Sequence, residues 1–231
     1  MAKIGVCLAG CGVFDGAEIT EAVCVLLALD QAGAEAVCIA PNVEQLDVVD
    51  HVTQAPVPGQ VRNVLTESAR IARGAIQDVA KLRSFDIDAL IFPGGFGAVK
   101  NICALVIGGP EGKVQPDVER LVNEMIEAKK PIGAACIAPA LLARILTARG
   151  LSPRVTIGND PATAGEIEAL GGEHVECLAT GIVVDEELKL VTTPAYMLAT
   201  GPAEVFEGIR KMVRQVLLLT GKPDKVKDYA A

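Results

Sequence analysis

Tryptophan is absent, and aromatic residues make up only 3% of the 231 residues. Large rings therefore cannot dominate the interior, and aliphatic side chains with alanine must fill it. Hydrophobic residues still reach 51%, enough for one sizeable core. No apolar run approaches the ~18 residues of a membrane-spanning helix, and no Lys/Arg run is long enough to bind anionic lipid. No membrane partner is expected. Positive charge is in deficit: 21 Lys and Arg against 29 Asp and Glu give a formal net charge of −8. Such a surface repels phosphate, which argues against nucleic acid as a partner. The N-terminal Met1–Gly5 runs straight into a strand pattern, without the apolar segment and cleavage site of a secretory signal. A cytoplasm, or an organelle derived from one, is the expected location.

Cysteine pairs are lacking too. The seven cysteines are an odd number, and no two form a C-x-x-C pair. A disulfide framework or a zinc site therefore reads poorly, and most of these thiols are expected to be small buried hydrophobes. The only histidines are His51 and His174, neither next to a cysteine. Gly10-x-Gly12-x-x-x-Gly16 departs from the dinucleotide fingerprint, with Asp15 where the third glycine belongs, and no phosphate-loop G-K-[ST] occurs.

What is present alternates between strand and helix patterns. Residues 3–9 form an apolar run ending at Gly10-Cys11-Gly12, and residues 18–32 carry Ile19, Ala22, Val23, Leu26 and Leu29 at helical spacing. Residues 35–40 repeat the strand pattern, so the first two strands should be parallel. Residues 41–63 read as an irregular excursion, residues 64–73 as a short helix and 75–84 as another short element. A third strand, 87–92, stops at Pro93-Gly94-Gly95. Residues 116–129 form an amphipathic helix with Val118, Leu121, Val122, Met125 and Ile126 on one face. Residues 131–135 are a short buried strand and 138–149 a helix ended by Gly150. Short strands follow at 154–157, 174–177, 181–184 and 188–193, with a small helix at 161–170. A closing helix spans 202–219. These elements describe one α/β domain over 1–220 with a polar tail over 221–231.

Ligands of such sheets bind beyond the carboxyl ends of the strands. Cys136 stands at one such end, in Gly133-Ala134-Ala135-Cys136-Ile137-Ala138-Pro139. Small residues before it permit the sharp bend of a nucleophile elbow. The N-terminus of the next helix should favour thiolate there. The competing reading is a cysteine packed in the core. Gly94 and Gly95 would aim backbone N–H groups at a ligand and, with the N–H of Ile137, bind an oxyanion; a plain Gly-Gly turn is the alternative. Glu18 and Glu21, three apart, lie on one helix side, and one of them would be a buried acid/base sharing a proton with the sulfur. Two exposed acids at a helix N-terminus would leave the same pattern.

Several stretches together resemble a known family: G-C-G-V-F-D-G-A-E-I-T-E-A at 10–22, D-V-V-D-H at 47–51, P-G-G-F-G-A-V-K-N at 93–101, C-I-A-P-A at 136–140 and V-T-T-P-A-Y-M at 191–197. The chain resembles the ElbB-type glyoxalases, or enhancing lycopene biosynthesis family, of the PfpI and class I glutamine amidotransferase-like superfamily. The resemblance implies a flavodoxin-like three-layer sandwich with a mostly parallel sheet. It implies Cys136 as nucleophile, Glu21 as its buried partner with Glu18 as the fallback, and Gly94, Gly95 and Ile137 as oxyanion donors. It implies a small aldehyde such as glyoxal as substrate, no cofactor or metal, and a homodimer. A deglycase role has been argued for similar proteins. A redox sensor or chaperone built on the same thiolate is the alternative to turnover. Peptidase and amidotransferase members carry a histidine near the cysteine; here Ile137 follows Cys136, and Gly158 stands about where a later histidine belongs. That disfavours peptide and glutamine hydrolysis.

Overall fold

The computed structural model describes residues 1–222. The expected polar tail falls, from residue 223 on, outside the described residues.

The chain runs β1 (Lys3–Cys7), α1 (Ile19–Gln31), β2 (Glu35–Ala40), the two-residue strands β3 (Val49–Asp50) and β4 (Ala55–Pro56), α2 (Val64–Ile71) and β5 (Ile76–Asp78). It continues with β6 (Ala89–Phe92), a π-helical turn at Ala98–Ile102, α3 (Leu105–Gly108), α4 (Pro116–Glu127), β7 (Ile132–Ala135) and α5 (Ala138–Thr147). Then come β8 (Arg154–Val155), α6 (Pro161–Ala169), β9 (Glu173–His174), β10 (Val183–Asp185), β11 (Leu190–Thr193) and α7 (Pro202–Leu219). Seven strands form one sheet in the order β10-β11-β7-β6-β1-β2-β5. All its pairings are parallel except β10 with β11. β1 and β2 pair in parallel, Ile4 opposite Ala36, as the β-α-β pattern requires. The fold is thus the expected α/β sandwich.

Two apolar clusters lie on the two sheet faces. One gathers α4 and α5 around Leu90, Phe92 and Ile132; the other gathers α1 and α7 around Ile4, Val6 and Ile91. On α4 the buried set is Val118, Leu121, Val122 and Met125, each contributing about 1.5–3 kcal/mol of burial. Aromatic scarcity has the expected consequence: among the described residues, Phe92 is the largest fully buried side chain. The small residues of β7 let helices approach closely. A Cβ on Gly133 would sit 3.1 Å from Val216 Cγ2 of α7.

The α1 face differs from the sequence pattern. Ile19 and Val23 are exposed, together with Leu27, and the buried face is Glu21, Ala22, Cys24, Val25, Ala28 and Leu29. The helix is apolar almost all round, so periodicity alone cannot choose its inner face. Its chosen face carries Glu21 inward. The 41–63 segment folds over the Gly10–Gly16 loop: Gln45 Nε2 donates to the Asp15 carbonyl at 3.0 Å, and Val49 N–H donates to Asp15 Oδ2 at 2.8 Å.

Candidate active site

The carboxyl ends of β1, β6, β7 and β11 meet at one sheet edge, and backbone bonds stitch their loops together. Glu18 N–H donates to the Gly94 carbonyl at 2.9 Å, Phe96 N–H to Val13 at 2.8 Å and Gly97 N–H to Gly16 at 2.8 Å. Cys136 N–H donates to the Thr193 carbonyl at 3.0 Å.

Cys136 lies between β7 and α5 with φ at 60°. That left-handed conformation is uncommon for a residue with a side chain and costs about 1–3 kcal/mol. The bend turns the sulfur out of the sheet and toward α1. Burial is nearly complete, the residue being 7% exposed. The N–H groups of Gly95 and Ile137 lie near the sulfur and lower its proton affinity.

Glu21, 0% exposed, faces the same sulfur from α1. Its Oε1 accepts the Tyr196 N–H at 3.1 Å. Its Oε2 has no well-formed hydrogen bond, and the Cys136 thiol and the Gly94 N–H lie beside the carboxyl. Burial pushes the Glu21 carboxyl up to about 7, with the Glu18 charge adding to that and the Tyr196 N–H opposing it. Burial, then the Glu21 charge, push the Cys136 thiol well above its usual range, while the Gly95 and Ile137 N–H groups pull it down. The helix field alone was expected to favour thiolate; burial and the neighbouring acid outweigh it. Two like charges at this spacing cannot both form, so sulfur and carboxyl hold a proton between them.

The candidate residues therefore converge, with two refinements. Glu18 is not at the sulfur: it caps α1, its Oε2 accepting the Glu21 N–H at 2.6 Å. Gly94 is not a sulfur donor, because its N–H points to the Glu21 carboxyl. Its role is space. A Cβ there would overlap Cys136 Cβ and Glu21 Oε2 and come 2.9 Å from Cys136 Sγ. Gly95 is constrained differently, by a φ of 96° and by contact with the Gly16–Glu18 backbone.

Tyr196 and Ala195 were missed as site components. Ala195 is fully buried at φ 45°, and this bend presents the next N–H to Glu21. Their position just beyond β11, at the same sheet edge and within the 191–197 stretch that carries the family resemblance, is the signal that the sequence offers. Gly158, at φ 109°, leaves no room for a histidine: a Cβ there would lie 2.7 Å from Leu198 Cγ and 3.4 Å from Pro194 Cβ. The residues of the 41–63 segment are engaged elsewhere. His51 Nε2 accepts the Phe14 N–H at 3.3 Å, Asn63 caps α2, and Arg62 faces Glu67 at 3.8 Å. All seven cysteines are free thiols. Cys7 and Cys103 are fully buried, and burial raises both, Cys103 to about 11. Among the described residues, no group of three or more His, Cys, Asp or Glu side chains is arranged to hold a metal ion.

No protein-family model matches the chain. It is 46% identical over 230 residues to glutamine amidotransferase-like class 1 domain-containing protein 3, mitochondrial, of Homo sapiens, spanning 96% of this chain and 84% of that one. It is 44% identical over 230 residues to the ES1 protein homolog, mitochondrial, of Rattus norvegicus, spanning 96% and 85%. A crystal structure of an isoprenoid biosynthesis protein with an amidotransferase-like domain from Ehrlichia chaffeensis is similar with a TM-score of 0.87 and 39% identity, over 94% of this chain and 99% of that one. Drosophila melanogaster DJ-1beta, at a TM-score of 0.54 and 18% identity over 95% and 96% of the two chains, shares the fold. The cytoplasmic expectation does not stand, because these two curated relatives and a third from Danio rerio, 34% identical over 95% of this chain, are all named mitochondrial. Charge balance and a handful of leading residues do not encode a compartment. Identity of 44% and 46% over 96% of this chain and 84% or more of those relatives leaves one conclusion: the chain belongs to the class 1 glutamine amidotransferase-like family that includes the ES1 proteins.

Proposed function

We propose that this protein is a cofactor-independent glyoxalase of the ElbB type, turning a small 2-oxoaldehyde into the corresponding 2-hydroxy acid. One observation carries the proposal: a buried carboxyl, held near neutrality in its proton affinity, faces a buried thiol that two backbone N–H groups address. That is an acid/base beside a nucleophile, tuned to the pH at which it would work.

The thiol proton passes to Glu21 as the sulfur adds to the aldehyde carbon, forming a hemithioacetal alkoxide. The N–H groups of Gly95 and Ile137, which stabilise the thiolate, turn to the alkoxide oxygen as the sulfur loses its charge. Glu21 returns its proton to that oxygen, removes the C–H proton from the same carbon and delivers it to the neighbouring carbon by way of an enediol, while the hydroxyl proton on the first carbon passes to the oxygen of the second. One carbon is oxidised and the other reduced, so no external oxidant or reductant is needed. Water then adds to the resulting 2-hydroxyacyl thioester, the C–S bond breaks, and the sulfur regains its proton. The net change is addition of one water.

Hydrolysis of glutamine is disfavoured on a specific ground: Leu198 and Pro194 fill the space beside Gly158 where a histidine side chain would stand. Glyoxal incubated with the purified protein should yield glycolate. The Cys136→Ser variant should yield none while keeping its circular dichroism and melting temperature. Glycolate formation by that variant rules the mechanism out. Turnover slower than a few per hour, with stoichiometric oxidation of Cys136 by peroxide, would instead favour the redox-sensor alternative.

A further inference from the structure

A cavity of about 440 Å³ lies between the elbow and α6. That volume is in the range of small-molecule sites, roughly 300–1,000 Å³. Its walls include Phe96, Val99, Ile137, Ala140, Ile167 and Leu170. Two of these frame the sulfur's donors. Phe96 directly follows Gly95, and Ile137 places its own N–H near the sulfur. The cavity therefore adjoins the residues that supply or follow those donors and lies against α5 and α6, while Cys136, Glu21, Gly94 and Gly95 themselves do not line it.

Its chemistry is one-sided. The polar side chains along it are Thr163 and Glu166. The Thr163 hydroxyl is already directed to Asp160 Oδ2 at 2.7 Å, and Glu166 is exposed at the rim. Nothing in the apolar walls compensates the dehydration of a charged or strongly hydrated group. A carboxylate at the rim of a chain with net charge −8 also disfavours an anion. A bare dialdehyde such as glyoxal leaves this volume unfilled.

We propose that this cavity receives a neutral apolar substituent, so that the site takes 2-oxoaldehydes carrying an aryl or branched aliphatic group in preference to glyoxal. The proposal rests on the thiol-addition chemistry above and adds the substrate class. The covalent steps are unchanged; only the group attached to the second carbonyl differs. The rim carboxylate then has a function as well, since it repels the hydroxy-acid product once the charge has formed.

Two measurements on the full chain test this. In the first, kcat/KM is compared for phenylglyoxal and glyoxal. The wild-type ratio should be about 10 or more, the scale on which apolar pockets discriminate. Ala140→Phe, which fills the cavity from α5, should lower that ratio at least about ten-fold. An unchanged ratio overturns the proposal. In the second, the unreactive ketone acetophenone is titrated into wild-type protein with ¹³C-labelled isoleucine methyls. Saturable shifts at Ile137 and Ile167 are expected, and no shift at either overturns the proposal even if Ala140→Phe fails to fold. The two readings separate cleanly. Acetophenone binding with turnover of neither aldehyde sinks the reaction and keeps the apolar site. Equal turnover of both aldehydes without methyl shifts sinks the site and keeps the reaction.

Discussion

Glu21 and Cys136 meet in the interior although one belongs to the first turn of α1 and the other follows β7, and the Glu21 oxygen left without a well-formed hydrogen bond is on the carboxyl that faces the thiol. A carboxyl so placed couples folding to pH. Its proton affinity rises from about 4.5 to about 7 on folding. The native state therefore binds the proton more tightly than the unfolded chain. This contribution is fully present below about pH 4.5 and is lost as pH rises through about 7. The affinity change corresponds to about 3 kcal/mol. Urea denaturation at pH 5 and pH 8 should show wild-type protein losing about that much more stability across the interval than Glu21→Gln, since other carboxylates act alike in both. Parallel stability curves for the two proteins would contradict the buried pair.

Glu18 is assigned a positioning role, and its removal should move a pH profile rather than abolish a rate. Its charge helps to raise the Glu21 affinity, and its Oε2 holds the Glu21 N–H. Glu18→Gln keeps an oxygen for the cap and deletes the charge, so Glu21 ionises at lower pH. The rising limb of kcat/KM against pH, which follows ionisation of the general base, should shift to lower pH. Glu21→Gln should instead lose about 100-fold or more in kcat. A Glu18→Gln profile that is unmoved, or that moves upward, would show that Glu18 does not act on Glu21.

Much of this was legible in the chain, and the misses share a cause. The bounds of α7 and the buried face of α4 follow from periodicity, because each carries a wide polar side that leaves one orientation. The elbow at Cys136 is a local signal: small residues, one cysteine, then a helix start with proline. Glu18 and Glu21 could not be separated by their spacing. Which of them is buried depends on where the β6 and β11 loops land, a long-range fact. Ile19 and Val23 looked like core residues for the same reason. The Tyr196 contribution comes from a backbone N–H, which has no side-chain signature. The thiol's proton affinity was misjudged because a helix N-terminus can be read locally, whereas burial cannot.

Gly94→Ala tests whether space between thiol and carboxyl is a requirement. The added methyl would overlap Cys136 Cβ and Glu21 Oε2, and the atoms facing it are held by α1 and by the elbow. Overpacking of this kind costs about 1–3 kcal/mol. The displaced pair should lose about 100-fold in kcat/KM toward glyoxal, since misplacement of about 1 Å has that effect. Urea midpoints and initial rates measure both quantities. A variant with wild-type rates would mean that the pair tolerates separation and that its geometry is not catalytic.

Gly158→His asks whether a histidine can be restored at the position where related hydrolases are expected to carry one. The backbone there, at φ 109°, lies outside the regions that side-chain-bearing residues adopt readily. The new Cβ would also press on Leu198 and Pro194. Strain and overpacking together should destabilise the protein by about 2–4 kcal/mol. The push falls on the segment that carries Ala195 and Tyr196, so the N–H held against Glu21 should be displaced as well. Glyoxal turnover should therefore fall although residue 158 takes no part in the reaction proposed. Adding Leu198→Ala should return part of the stability by removing the contacted side chain, while the backbone strain remains. No ammonia should be released from glutamine by either variant. A Gly158→His protein as stable as its parent, or one that releases ammonia, would show that the space beside Pro194 is available and that hydrolytic chemistry was lost for another reason.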